Sequence, residues 1–283
     1  MPVTFGELST LTTPLSVTRF WALFFGCLTF SLAAVVDTSS KEYFNTLHTF
    51  CMATWCFFFI LTFFIVAVNF IQFHSLLPLS WKNLTATVAA LGMLMTMTAT
   101  LAFPWILVGQ SKAKPREVAA SVGSFLTSLA YIVELQLIRT QGSQQQRGYM
   151  ASVPGLLKVL QVFGSCVALV LIVPQKTEED WRISISATVY SLSLAASLGT
   201  VLVMVGDCAG RCPVPFDRLL AGFSTLGVLL YMMATVICIT RVLSPIHDIE
   251  SFVLMSETVI ASITLLAYTV DLAFSVKLLC DRN

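Results

Sequence analysis

Two carboxylates stand in matching apolar frames, Glu134 in LAYIVEL (Leu129–Leu135) and Asp271 in LAYTVDL (Leu266–Leu272). Helical spacing puts Thr127 and Tyr131 on the face of Glu134, and Thr264 and Tyr268 on the face of Asp271. An acid in hydrocarbon costs at least about 2.5 to 3.5 kcal/mol, so each stripe is expected to turn inward or reach an interface. Three roles are open: pairing with a base, snorkelling to headgroups beside Arg139 and Lys277, or a proton or ion pathway. Transport sites favour the bilayer midplane on broken helices, whereas these acids fall near one end of their apolar runs. Pairing is therefore the favoured expectation, Arg19 with Glu134 and Lys158 with Asp271.

The elements that must position these residues follow from composition. Of 283 residues, 57% are hydrophobic and 11% charged, against roughly 25% charged in soluble domains. A net charge of +1 and the lack of any basic run or Gly-rich phosphate loop set nucleic acid aside. The apolar residues gather into runs of the length that crosses a core about 30 Å thick. Eight are readable: Val17–Val36, Cys51–Ile71, Leu84–Val108, Val118–Ile138, Val153–Val173, Ile183–Val205, Leu219–Leu243 and Glu257–Leu279. The first has Arg19 ahead of an apolar stretch, like a secretory signal, but its length and Glu7 favour a spanning helix.

The two heptapeptides mark a repeat. At the same offset Leu77-Pro78 resembles Val214-Pro215, and Arg19, Phe24 and Cys27 meet Lys158, Phe163 and Cys166 at a nearly equal one. Two halves of four helices imply a parallel repeat, because an even number of spans returns the chain to its starting side. The polar link TQGSQQQRG joins the halves. The expected division is a tail over 1–12, a four-helix domain over 13–143, a linker over 144–147 and a second four-helix domain over 148–281. The basic residues divide almost evenly between the two sides: Arg139, Arg147 and Lys158 favour a cytosolic N-terminus, SKAKPRE (Ser111–Glu117) argues against it, and both termini are expected in the cytosol.

Other candidates weigh less. Cys27, Cys56, Cys166 and Cys238 fall in apolar runs as packing residues. Cys208, Cys212 and Cys280 are juxtamembrane and so palmitoylation candidates, a free thiol being the simpler reading. The C-terminal CDRN has no aliphatic pair for prenylation, and the sequon Asn83-Leu84-Thr85 abuts the third span, facing the cytosol and silent. His48, His74 and His247 lie in separate connections, so no metal, cofactor or catalysis is expected. Aromatic runs such as WCFFFILTFF (Trp55–Phe64) read as lipid-facing, Trp21, Trp81 and Trp181 as interface anchors, and Ala22 with Gly26 as a small-residue seam for lateral packing. The basic-aromatic patterns near Arg19 and Lys158 fit sterol motifs, which apolar chains match almost for free.

The stretch GYMASVPGLLKVLQ (Gly148–Gln161), the paired loops LPLSWKN (Leu77–Asn83) and CPVPFDRL (Cys212–Leu219), FCMATWCF (Phe50–Phe57) and both heptapeptides resemble the myeloid-associated differentiation marker family. That resemblance covers nearly the whole chain. It implies two tandem MARVEL domains with cytosolic ends, and a part in organising cholesterol-rich membrane domains, membrane apposition, vesicle traffic, cell spreading and barriers. Membrane lipids and other membrane proteins are the implied partners, the plasma membrane and trafficking vesicles the implied location. The segment SPIHDIE (Ser244–Glu250) is shorter than the cysteine-bearing loop of relatives, which puts contacts made by that loop in question. A non-enzymatic scaffold is the expected function, a transporter or channel using Glu134 and Asp271 the alternative.

Overall fold

The computed structural model describes residues 12–36, 42–71, 79–108, 114–141, 148–175, 181–207, 216–243 and 248–280. Among them are eight long helices and no strand: α1 (Pro14–Ala33), α2 (Glu42–Phe70), α3 (Trp81–Val108), α4 (Pro115–Gln141), α5 (Val153–Ile172), α6 (Trp181–Val205), α7 (Phe216–Val242) and α8 (Asp248–Cys280). Each is long and apolar enough to cross a membrane. The chain is an all-α integral membrane protein with eight spans.

Helix starts follow local chemistry. Thr13 caps α1, its hydroxyl accepting the Ser16 N–H at 3.3 Å, and Pro14 supplies the preset φ of a first turn. Glu117 in the first turn of α4 accepts the Lys114 N–H at 2.8 Å, so a buried acid satisfies an otherwise orphaned amide. The last span begins at Asp248, not at Glu257 as the apolar run implies. Glu257 sits wholly buried inside α8 because partners on other helices neutralise it. Part of SPIHDIE is thereby helix, and its remainder lies outside the described residues.

The chain divides into two compact units, Met1–Ser152 and Val153–Asn283. In the first, α1 packs on α2, α2 on α3, α3 on α4, and α4 closes the ring on α1. In the second, α5 to α8 neighbour one another in the same cyclic order. Each ring gives its last helix an inward face toward the first helix and the third.

The first unit ends at Ser152, and the single turn at Tyr149–Ala151 just before its end packs on α3. Met150 is buried there, and its N–H donates to the Asn83 side-chain carbonyl at 3.2 Å. Glycosidase treatment is therefore expected to leave the gel mobility of the protein unchanged. Asn83→Ala should cost about 1 to 3 kcal/mol in thermal unfolding, by stranding a buried amide; wild-type stability in that variant would contradict this role.

Two expectations about surfaces are corrected. Trp55 and Phe58 are core residues, whereas Phe57, Ile60, Phe63 and Phe64 of the same run are exposed, as one helix with a single inward stripe requires. Ala22 and Gly26 are also buried, and Gly26 faces Thr127 of α4, so that seam packs within its own unit. Trp21 and Trp181 are exposed, and Trp81 donates its indole N–H to the Asn69 side chain at 3.0 Å.

Candidate functional site

On α1 the residues Arg19, Ala22, Gly26, Thr29 and Ala33 form the buried face, and the guanidinium of Arg19 meets α4. Its Nε donates to Glu134 Oε1 at 2.6 Å, with both side chains only 3% exposed. In the second unit Lys158 Nζ of α5 lies 2.5 Å from Asp271 Oδ2 of α8. That same oxygen accepts from Ser224 Oγ at 2.5 Å and Gln161 Nε2 at 3.1 Å. Removing two charges from water costs several kcal/mol per ion, which a pair offsets only with close contact and further hydrogen bonds. The Asp271 cluster has both.

The threonine and tyrosine of each stripe touch glycines on neighbouring helices. Thr127 lies over Gly26, whose Cβ would stand 3.9 Å from its methyl group, and Tyr131 lies over Gly92 of α3, at 3.1 Å. In the second unit the fit is tighter: a Cβ on Gly164 of α5 would stand 1.9 Å from Thr264 Oγ1, and one on Gly227 of α7 would stand 2.3 Å from the Tyr268 ring. No Cβ survives such distances, so glycine is what lets the helices approach. The Tyr131 hydroxyl donates to the Phe58 carbonyl at 3.3 Å and shares a 2.8 Å hydrogen bond with Thr62. The Tyr268 ring lies tilted 5.4 Å from Tyr231, whose ring lies tilted 5.7 Å from Tyr190, forming a row of buried rings.

A second acid cluster, absent from the sequence reading, closes the other end of the second unit. Glu257 Oε2 lies 3.4 Å from Arg241 Nη1 and 3.4 Å from Gln175 Nε2. Its Oε1 accepts from the Tyr190 hydroxyl at 3.1 Å and from Cys238 Sγ at 3.4 Å. Arg241 also donates to the Gln175 side-chain carbonyl. Cys238 is thus part of a polar network and not a filler. The signal that points to it is the stripe itself: stepping back from Asp271 by three and four residues gives Tyr268, Thr264, Ala261 and Glu257. The same stepping from Glu134 gives Tyr131, Thr127, Ser124, Ala120 and the buried Glu117.

In the first unit the corresponding interior is held by neutral groups. Trp55 Nε1 donates to Ser124 Oγ at 3.1 Å, Ser124 shares a 2.8 Å bond with Thr100, and Ser128 donates to Thr96 Oγ1 at 3.1 Å. Trp55 also packs edge-on to Phe103 at 5.4 Å. Of the three palmitoylation candidates, Cys280 is exposed at the end of α8, while Cys208 and Cys212 lie outside the described residues. Among the described residues no group of three or more His, Cys, Asp and Glu side chains is placed to hold a metal ion.

No family model matches the chain, and no solved structure matches it. Curated proteins match along almost its full length. A myeloid-associated differentiation marker homolog of Xenopus laevis is 31% identical over 97% of this chain and 95% of its own. The human myeloid-associated differentiation marker-like protein 2 is 34% identical over 96% of this chain and 94% of its own. The myeloid-associated differentiation marker of Rattus norvegicus is 29% identical over 97% and 93%. Identity at this level across all eight spans is not a local coincidence of apolar composition, and the chain belongs to the myeloid-associated differentiation marker family.

Proposed function

We propose that this protein is a non-enzymatic organiser of membrane domains, built as two tandem MARVEL-type bundles whose termini lie in the cytosol. It acts by lateral contact with lipids, including cholesterol-rich domains, and with other membrane proteins at the plasma membrane and in trafficking vesicles. The observation that carries this reading is the separation of charge from surface. The acids Glu134, Asp271 and Glu257 are met by bases inside their own units. The exposed positions, among them Phe24, Phe57, Phe63, Leu229, Val236 and Leu266, present large apolar side chains. In this reading the ion pairs are clasps that hold the first helix of each bundle to the last. The names of the relatives describe markers of differentiation and no reaction.

Reconstitution tests the reading. In liposomes the protein is expected to pass no ions or protons above an empty-vesicle background, and in phase-separated giant vesicles it is expected to concentrate in the ordered phase. Flux that disappears in Glu134→Gln and Asp271→Asn would instead establish a transporter or channel. Uniform partition between phases would remove the organising role.

A further inference from the structure

Glu257 is a common acceptor for the other three helices of the second unit. Gln175 Nε2 reaches it from the turn after α5 at 3.4 Å, the Tyr190 hydroxyl from α6 at 3.1 Å, and Cys238 Sγ and Arg241 Nη1 from α7 at 3.4 Å each. All four neighbours donate, and an ionised carboxylate, whose two oxygens only accept, fits such a shell. A protonated one loses that match. One oxygen becomes a donor among donors, and the side-chain carbonyl of Gln175 already accepts from Arg241.

The three buried ion pairs are not alike. Arg19 with Glu134 and Lys158 with Asp271 close to 2.6 and 2.5 Å, with all four side chains 3% exposed or less. Arg241 stands 3.4 Å from Glu257, shares its guanidinium with Gln175 and keeps 11% of its side chain exposed. An ion sealed from water needs close contact to offset its desolvation, and this pair has the longest contact of the three.

Among the described residues, the titratable and charged groups that meet Glu257 are Tyr190 from α6 and Cys238 and Arg241 from α7. The turn after α5 offers the uncharged Gln175, Lys158 of α5 is taken by Asp271, and Arg182 at the start of α6 lies over the Trp181 ring. A proton added to Glu257 therefore cancels the charge that Arg241 answers.

We propose that Glu257 is a proton-operated latch: ionised, it ties the ends of α5, α6 and α7 to α8, and protonated, it releases Arg241 and loosens that end of the second unit. The proton enters from water on the Arg241 side, the cluster passes from neutral to positive, and the guanidinium turns outward to water. A single carboxylate at one end is a switch and not a path across the membrane, so no proton flux follows. With both termini in the cytosol, the reading on which this placement rests, the latch faces the side that acidifies in endocytic vesicles.

Hydrogen exchange of the full chain in lipid nanodiscs tests the latch. Both faces meet one buffer there, so its failure is distinct from a failure of the cytosolic placement, which protease protection of the termini decides. After correction for the pH dependence of amide chemistry, residues 237–242 of α7 are expected to exchange several-fold faster in mildly acidic than in neutral buffer. Glu257→Gln, neutral at every pH, should exchange fast in both. Wild-type exchange that does not respond to acid overturns the proposal. So does a variant as protected as neutral wild type, or one that keeps the wild-type response. The wild-type protein alone gives a second reading if the variant does not fold: acidification should raise the infrared C=O band of a poorly hydrated carboxylic acid, and its absence overturns the latch.

Discussion

Lys158→Met is expected to destabilise the protein by about 3 to 5 kcal/mol, while Lys158→Met combined with Asp271→Leu is expected to recover most of that loss. The single change leaves the Asp271 carboxylate buried with Ser224 and Gln161 as its remaining donors. Two neutral hydrogen bonds do not replace a cation in a site that is almost completely closed to water. The double change removes both ions and fills the space with side chains of similar size, and so removes the desolvation cost with the attraction. Thermal unfolding in detergent, followed by the loss of a monodisperse chromatographic peak, separates the cases. A single variant as stable as wild type would show that the pair contributes little, and a double variant as weak as the single would show that the charge itself is required.

The next largest effect is expected at Gly227. A Cβ there would stand 2.3, 2.4 and 3.0 Å from three atoms of the Tyr268 ring. The ring is also in contact with Tyr231, its centroid 5.4 Å away, which limits how far it can shift. Gly227→Ala should therefore force α7 away from α8 and cost about 1 to 3 kcal/mol, as overpacking does. This outweighs the gain of up to about 1 kcal/mol that alanine brings to a helix interior. Gly199→Ala supplies the control of opposite sign, because nothing lies within 4 Å of the added methyl group. If both variants shift Tm in the same direction, helix propensity and not ring packing governs the site.

The spans were readable because hydrocarbon thickness imposes a length on every apolar run. Their ends were less so, and α8 shows why. An acid at the edge of an apolar run looks like a boundary, yet Glu257 is one of the most deeply buried residues of the chain. Its partners Arg241 and Gln175 come from the end of α7 and from the short turn that follows α5, separated from it by 16 and 82 residues in sequence. Such a cluster exists only once the helices are placed around one another. The Thr–Tyr–acid stripes were readable as faces, since spacing alone defines a face. The glycines they press on were not, because a glycine in an apolar helix has no pattern that distinguishes close approach from chance. Gly199 and Gly227 look alike in the sequence and differ entirely in what surrounds them. The aromatic run after Trp55 failed for a related reason: composition describes the average side of a helix, and Trp55 and Phe58 occupy the side that composition hides.

The separation between paired charges has a consequence in time. Arg19 and Glu134 are 115 residues apart in sequence, and Lys158 and Asp271 are 113 apart. At ribosomal speeds of about 5 to 20 residues per second, α1 waits on the order of ten seconds for the carboxylate that neutralises its arginine. Throughout that interval each half carries a cation whose carboxylate partner is still unmade, and it gains that partner only when its fourth helix arrives. Completion of each half is therefore marked by the pairing of its first helix with its last.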